Sequence, residues 1–483
     1  MRPHLLARRD YLWAALLILA LPAGCRAPTA QVRSTSSHFP ILSRSAMLAK
    51  QLVADTAVCC ACRPWETGQA LGAASADWLW AAGEGVAGKR VELTLYDDPP
   101  SLADDRPKLD RVALESDLRT VAGNELQPAR IQIYRGAGEA LTALKQTIDQ
   151  AQHRIDVLMF IWGNDRVGAE IASWLAAKAG PDLPVRVLVD GGGNLIFGVP
   201  EQGLRADVNA VVRKLAEHPY VEVIRIRHPF GQLDHRKLVI VDGRVAWTGG
   251  RNFYDYGFFG EHDLCFTVSG PLVAELQADF GASWEKQGGA PLADALRTHS
   301  PPDRNSADPN TLARVIRTEP GRDDLAQALY LAVDHARHHI YLENPYLFDS
   351  RMVCKLVRAR RRGVDVRAVL TGATNKGVVN RANRVTANRL LRAGVRVYLY
   401  PESMHVKALA VDGRWAYMGS ANFDGYSLRY VRDLGLAISG GSVISHLETT
   451  LFLPDFRDDW ELKEPLPLSP TDYLCESLAS LCM

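Results

Sequence analysis

The sequence predicts an α/β protein of two pseudo-symmetric sandwich halves that build one active site at their interface, behind an N-terminal extension. Three observations predict it. At 483 residues the chain is too long for one core and suits a duplicated unit with an extension. Strands and helices alternate through two stretches in the same order. One group of His, Lys, Asp, Gly and Asn is written twice, beginning at His235 and again at His405 (405 − 235 = 170).

In the first stretch, Ile131–Tyr134 reads as a strand and Ala140–Ala151 as a helix with Leu141, Leu144 and Ile148 on one face. Arg154–Trp162 is an apolar strand and Ala169–Ala179 a second helix stopped by Gly180 and Pro181. Val185–Asp190 is a strand ended by Gly191, Gly192 and Gly193. The second stretch repeats the order: helix Asp324–Ala336, strand His339–Glu343 ending at Asn344-Pro345-Tyr346, helix Met352–Arg362, strand Val364–Leu370. Ile155 and Ile340 are 185 apart, so the first half carries 185 − 170 = 15 extra residues, expected near Gly192–Asn209. The resulting division is 1–25 signal segment, 26–127 extension, 128–297 first half, 298–313 linker, 314–465 second half and 466–483 tail.

The composition, 47% hydrophobic and 23% charged, is that of a globular protein. A net charge of +1 gives no global pull toward nucleic acid, so anion binding must be local. Arg2, Arg8 and Arg9 precede an apolar run, Tyr11–Leu21, and then Pro22-Ala23-Gly24-Cys25. That is a secretory pattern, too short to span a bilayer comfortably. Export to a periplasm is expected, with Cys25 as a candidate lipidated residue; a plain cleaved signal is the alternative. Cys59, Cys60 and Cys62 could pair with Cys475 and Cys482 in an oxidising compartment. Cys265 and Cys354 are expected to be buried thiols.

The repeated group carries the chemistry. His235, Lys237, Asp242, Gly249 and Asn252 match His405, Lys407, Asp412, Gly419 and Asn422 offset for offset. Each copy starts a strand, so His and Lys, two apart, project together. Asp242-Gly243 and Asp412-Gly413 signal tight hairpins, which makes the motif aspartates structural. The glycine turn then returns Asn252 and Asn422 toward the same spot. Two lysines and two asparagines can bind the non-bridging oxygens of a phosphodiester. One neutral imidazole can attack phosphorus, and the other can protonate the leaving oxygen and then deprotonate the acceptor. Asp263 and Asp433 stand at the same offset beyond a motif histidine (263 − 235 = 433 − 405 = 28) and are the candidate orienting carboxylates. An inactive duplication or a dead envelope scaffold is the rival reading, and it leaves two intact His-Lys-Asn sets unexplained.

These residues resemble the duplicated signature of the phospholipase D superfamily, and their wording is similar to that of bacterial cardiolipin synthases. The resemblance covers 235–252 and 405–422 in full and about 130–290 and 315–440 more loosely. It implies a two-step mechanism without metal or other cofactor, with His235 as nucleophile and His405 as acid/base. Ser420 matches the family's usual hydroxyl, whereas Gly250 departs from it. The substrate implied is a phospholipid, phosphatidylglycerol or similar, met by a monomer at a membrane surface. Hydrolysis to phosphatidic acid is the first alternative, and a superfamily nuclease the second. Phe253-Tyr254-Asp255-Tyr256-Gly257-Phe258-Phe259 could line an acyl channel, touch a bilayer, or simply pack. Arg358, Arg360, Arg361, Arg362, Lys376, Arg381, Arg384, Arg389 and Arg392 could hold head groups, though a solvated helix face explains most of them.

Overall fold

Period-two burial sets the layers. Along Ile155–Met159, Leu158 joins one apolar cluster while Val157 and Met159 join another. Leu238 and Ile240 likewise part from Val239 and Val241. Each strand is therefore apolar on both faces and needs cover on both. The computed structural model describes residues 53–57, 59–61, 102, 107–197, 209–229, 232–291, 308–372 and 377–482.

The first sheet runs Arg130–Tyr134, Cys265–Ser269, Val245–Gly249, Leu238–Val241, Ile155–Met159, Val185–Asp190, Val221–Ile226. The second runs Leu312–Thr318, Asp433–Ser439, Trp415–Gly419, Ala408–Val411, His339–Glu343, Asp365–Thr371, Arg396–Tyr400, with Gln127–Pro128 added at its edge. The two orders are the same, strand for strand. Helices Ala137–Asp149 and Arg166–Lys178 cover the outer face of the first sheet. Helices Asp324–His335 and Ser350–Arg361 cover that of the second. The inner faces share one core, in which Leu238, Ile240 and Phe266 meet Ala408, Met418 and Leu436. Neither half buries its inner sheet face alone, so the interface is as much core as contact.

Several elements differ from expectation. The chain after Val185–Asp190 does not stop at the glycines but starts a helix, Gly191–Phe197. The Asp190 carboxylate accepts the Gly193 N–H at 2.5 Å, as an N-cap does. Glycine is needed there because a Cβ on Gly193 would lie 2.3 Å from the Phe160 ring. The 15 extra residues are not gathered at 192–209. From the strand registers, about four precede the second parallel strand, about seven follow it and about four follow the third. Helix Arg111–Ala122 packs Leu114 and Leu118 against the second half's helical layer, and helix Pro470–Cys482 lies on helix Gly377–Arg392. Arginines of the basic stretch serve these contacts: Arg381 pairs with Asp472 at 3.0 Å, Arg389 with Glu476, and Arg362 donates to the Val333 carbonyl at 2.9 Å. Cys60, Cys265 and Cys475 are free thiols, so the expected bridge does not involve Cys60 or Cys475. The signal segment, Cys25, Cys62, Lys376 and the linker about Ser300–Ser306 lie outside the described residues. Among the described residues no helix is long and apolar enough to cross a membrane.

The motif hairpins follow from two aspartates. Asp242 and Asp412 each adopt φ 55°, followed by Gly243 at 65° and Gly413 at 63°. Both turns close with a 2.9 or 3.0 Å hydrogen bond, from the Arg244 N–H to Val241 and from the Arg414 N–H to Val411. These are type I′ turns, which fit the twist of the flanking strands. The strain of left-handed φ at a non-glycine residue is offset by the carboxylates. Asp242 accepts the N–H groups of Gln152, His153 and Arg154 at 2.8–2.9 Å. Asp412 accepts those of Leu109, Arg337, His338 and His339 at 2.8–3.0 Å. Asp412→Ala should destabilise the protein by about 3 kcal/mol, because four amide groups, one buried and three half-buried, lose a charged acceptor. Urea unfolding with a loss below about 1 kcal/mol would contradict this account.

Candidate active site

The two motif strands end at the interface between the sheets, and the chain crosses there. The His235 N–H donates to the Arg432 carbonyl at 2.8 Å, and the His405 N–H to the His262 carbonyl at 2.7 Å. Short bridges Asp234↔Arg432 and His262↔Met404 repeat that crossing at the spacing of the motifs, since 432 − 262 = 404 − 234 = 170. Each motif histidine is thus strapped to the other half.

The side chains cross as well. His235 Nδ1 lies 2.9 Å from Asp433 Oδ1, and His405 Nδ1 lies 2.8 Å from Asp263 Oδ2. The carboxylate that follows each motif histidine at the shared offset therefore serves the partner histidine, not its own. An Nδ1–H donated to a carboxylate leaves the lone pair on Nε2, the atom needed for attack or proton transfer. Asp433 is fixed in turn by the Ser420 hydroxyl, which donates to its Oδ1 at 2.6 Å.

Lys237 and Lys407 each turn back to the carbonyl of the histidine two residues earlier. Lys237 also sits 4.9 Å above the Phe160 ring, whose edge meets His235 with centroids 4.7 Å apart. Phe160 follows directly on the strand Ile155–Met159, and no sequence motif points to it. Asn252 and Asn422 differ. Asn252 Oδ1 accepts the Ile161 N–H at 3.1 Å, whereas Asn422 Oδ1 is buried without a hydrogen-bond partner among the described residues. In the second half Asn344 does the holding, accepting the N–H groups of Phe423 and Tyr346 at 3.0 and 3.1 Å.

Burial and the two lysines set the protonation states. Burial first, then Lys237, lowers His235 to about 4, against the pull of Asp433. Burial first, then Lys407, lowers His405 to about 3. Burial brings Lys237 down to about 7, with Lys407 adding to the effect and Asp433 opposing it. For Asp263, burial opposes the charge, but His405 and Lys407 outweigh it and hold it at about 2. Both imidazoles are therefore neutral near pH 7. That Lys407 acts on His235, and Lys237 on His405, shows that the two motifs share one electrostatic site.

Gly250 has a structural reason. A Cβ there would lie 2.2 Å from Asp263 Oδ1. Asp263 fills the space that Ser420 fills in the other half. Its Oδ1 accepts the Leu264 N–H at 2.7 Å, just as Ser420 Oγ accepts that of Leu434 at 3.1 Å. Among the described residues, two clusters bring together metal-ligand residue types: Glu261, Asp263 and His405, and separately His262, Glu343 and Asp455. In the first, Asp263 is already committed to His405 and Leu264.

Two outcomes follow for turnover. The kcat/KM profile should rise with pH through about 4 as His235 loses its proton, then fall above about 7 as Lys237 loses its charge. A profile flat from pH 3 to 9 would exclude these assignments. Restoring the hydroxyl with Gly250→Ser should lower kcat by about 10-fold or more, because Asp263 is pushed off His405. An unchanged kcat would show that Asp263 can move without cost.

Comparison with known proteins agrees with this arrangement. A family model described as cardiolipin synthase, phospholipase D-like domain, matches residues 144–284 and 329–452. Cardiolipin synthase A of Erwinia tasmaniensis is 29% identical over 329 residues, covering 64% of each chain. The same enzyme from Cronobacter sakazakii is 28% identical over 325 residues, again 64% of each. The chain thus spans about 64% of the length of these curated relatives. A phosphatidylserine synthase from Haemophilus influenzae superposes with a TM-score of 0.56 at 16% identity, over 76% of this chain and 97% of that one, which shows a shared fold. With the family model matching both halves and the duplicated fold in place, the chain belongs to the cardiolipin synthase-type family of phospholipase D-like proteins.

Proposed function

We propose that the protein is a phosphatidyltransferase that acts on phospholipid through a phosphohistidine, as a cardiolipin synthase does. The observation that carries this reading is the crossed pair of His–Asp contacts, which brings two oriented imidazoles and two lysines into one site. His235 Nε2 attacks phosphorus, forming a P–N bond as the P–O bond to the leaving glycerol breaks. His405 gives that oxygen its proton. It then takes a proton from the acceptor alcohol, whose oxygen attacks phosphorus and releases His235. Because burial and Lys407 keep His405 neutral beforehand, it takes up a proton as the phosphate anion enters. Asn422 Oδ1, buried beside the motif and unpaired among the described residues, is a polar group available to substrate or acceptor.

A lipid is favoured over a nucleic acid by what surrounds the histidines. Phe160, Ile161, Leu233 and Val431 form a buried apolar cluster drawn from both halves, with Tyr254 and Tyr426 packed on it. In the aromatic run, Phe253 and Phe258 are core, while Tyr256 and Phe259 remain 44% and 54% exposed close behind the motif. Such a pair suits a bilayer interface. The same reading takes the protein to be an exported monomer at an envelope membrane. It rests there on the Arg2–Cys25 segment, with Cys25 as a candidate lipid attachment site.

Purified protein supplied with phosphatidylglycerol vesicles should form cardiolipin, and plasmid DNA should stay intact. His235→Ala and His405→Ala should each lower turnover by about 10²–10⁴-fold or more. Phosphatidic acid in place of cardiolipin would make water the acceptor, and nicking without lipid turnover would make the protein a nuclease.

A further inference from the structure

The duplication pairs His262 with Arg432, and the two straps they form are not chemically alike. Each residue donates its N–H across the interface, His262 to Ser403 at 2.9 Å and Arg432 to Leu233 at 2.9 Å. Each accepts the N–H of a motif histidine on its carbonyl, and the next residue supplies the carboxylate that holds the same histidine. Thus His262 and Asp263 serve His405, and Arg432 and Asp433 serve His235. The Arg432 guanidinium, charged at every working pH, pairs with Glu319. His262 can carry the same charge only as an imidazolium.

Its surroundings call for that charge. His262 Nε2 lies 2.8 Å from Asp455 Oδ2 and 3.4 Å from Glu343 Oε2. Glu343 and Asp455 are 0% and 1% exposed. Asp455 Oδ1 is paired with Arg135, whereas Asp455 Oδ2, both oxygens of Glu343 and His262 Nε2 itself have no hydrogen-bond partner in good geometry among the described residues, so what joins them is charge. The Tyr400 ring lies flat on the imidazole, with centroids 4.5 Å apart and planes within 4°. Two buried carboxylates therefore face one guanidinium, and a neutral His262 would leave one of them uncompensated, which is strongly unfavourable at this depth.

We propose that His262 is a positioning residue: as an imidazolium between Asp455 and Glu343 it locks residues 262–263 against 403–405 and so holds Asp263 on His405. The groups facing it are Glu343 from His339–Glu343, Asp455 from Leu453–Asp455, Arg135 beside Asp455, and Tyr400 with nearby Glu402 from the Arg396–Tyr400 side. On its own segment Glu261 and Asp263 flank it. Burial disfavours the charge, yet the Asp455 carboxylate at 2.8 Å and then the Glu343 carboxylate at 3.4 Å outweigh it and raise His262 to about 9. Burial also raises Glu343, so a proton is retained within the pair through neutral pH. A raised histidine is fully charged below its unfolded value and loses that charge as pH climbs through about 9. The three side chains are also metal-ligand types, but Arg135 already occupies Asp455 and the charges of the four groups cancel, which leaves no net pull for a dication.

The effect on turnover rests on the acid/base role given to His405, so the test has one arm that needs no activity. In nitrogen-15 histidine spectra of the full chain, the downfield Nδ1–H of His405, identified by its loss in His405→Ala, should persist in the wild type to about pH 9. It should be lost at neutral pH in His262→Gln and remain above pH 9 in His262→Arg. In the activity arm, His262→Gln should lower kcat by about 10²-fold with KM little changed, and His262→Arg should restore it to within about 3-fold. Glu343→Gln should move the pH at which the His405 Nδ1–H is lost down from about 9 toward neutral, and it serves as the probe if His262→Gln does not fold. A wild type without lipid turnover but with the spectroscopic pattern intact would defeat the proposed function and leave the positioning role standing. An undisturbed Nδ1–H in His262→Gln would overturn the proposal. So would one equivalent of zinc in the purified protein whose chelation reproduces that variant.

Discussion

The structure depends on an exchange across the interface. Neither half orients its own motif histidine. His235 receives its carboxylate and its backbone acceptor from the second half, at Asp433 and Arg432, and His405 receives both from the first, at Asp263 and His262. The consequence is energetic as well as geometric. A carboxylate removed from its imidazole partner at this depth would bear its desolvation cost uncompensated. Separating the halves breaks two such pairs and opens the shared core of Leu238, Ile240, Ala408 and Met418. The site therefore needs both halves docked, since each supplies the groups that orient the other's histidine.

The motif itself was fully legible in the sequence, because it consists of residues whose roles are local. Asp242-Gly243 and Asp412-Gly413 specify I′ turns without help from the rest of the chain, and strand alternation then puts His and Lys on one side. The orienting aspartates were legible by offset but not by destination. Their equal offset identifies Asp263 and Asp433 as equivalent, yet pairing each with its own histidine and crossing them produce the same spacing. Only the docking of one sheet on the other decides. The same limit applies to Gly191–Gly193, which read as a stop because glycine disfavours helix. There the need to lie against Phe160 overrides propensity. The basic stretch was ambiguous for the opposite reason. Arg381 and Arg389 look like a solvated face until helix Pro470–Cys482 supplies Asp472 and Glu476. Phe160 and Asn344 belong to no repeated pattern; the role of Phe160 arises from long-range contact, and that of Asn344 from joining a local bond to Tyr346 with a distant one to Phe423.

Pseudo-symmetry gives the chemistry a problem to solve. Two identical imidazoles in identical settings would compete for the same role, and the proposed phosphatidyl transfer needs one to attack while the other handles protons. The duplication departs from symmetry at the points that touch this choice. Gly250 in place of a serine lets Asp263 bend to the Leu264 amide, while Ser420 grips Asp433 directly. Asn252 is tied to Ile161, while Asn422 keeps an unmet acceptor because Asn344 takes over the loop. Phe160 shields His235, whereas His405 has the Glu261 carboxylate 3.8 Å away.

These differences share a direction. On the His235 side the surroundings are a ring edge, a serine-clamped carboxylate and an arginine strap whose charge does not vary. That setting suits a nucleophile, which must stay neutral and present one nitrogen. On the His405 side the surroundings are carboxylate-rich and carry a titratable strap. Burial and Lys407 hold His405 at about 3 against these carboxylates, and the field of an entering phosphate anion is what favours the imidazolium. A proton can then be taken up and given back there within one cycle. The duplicated sequence supplies two equal histidines, and the unequal shells around them, more than the histidines themselves, divide the work.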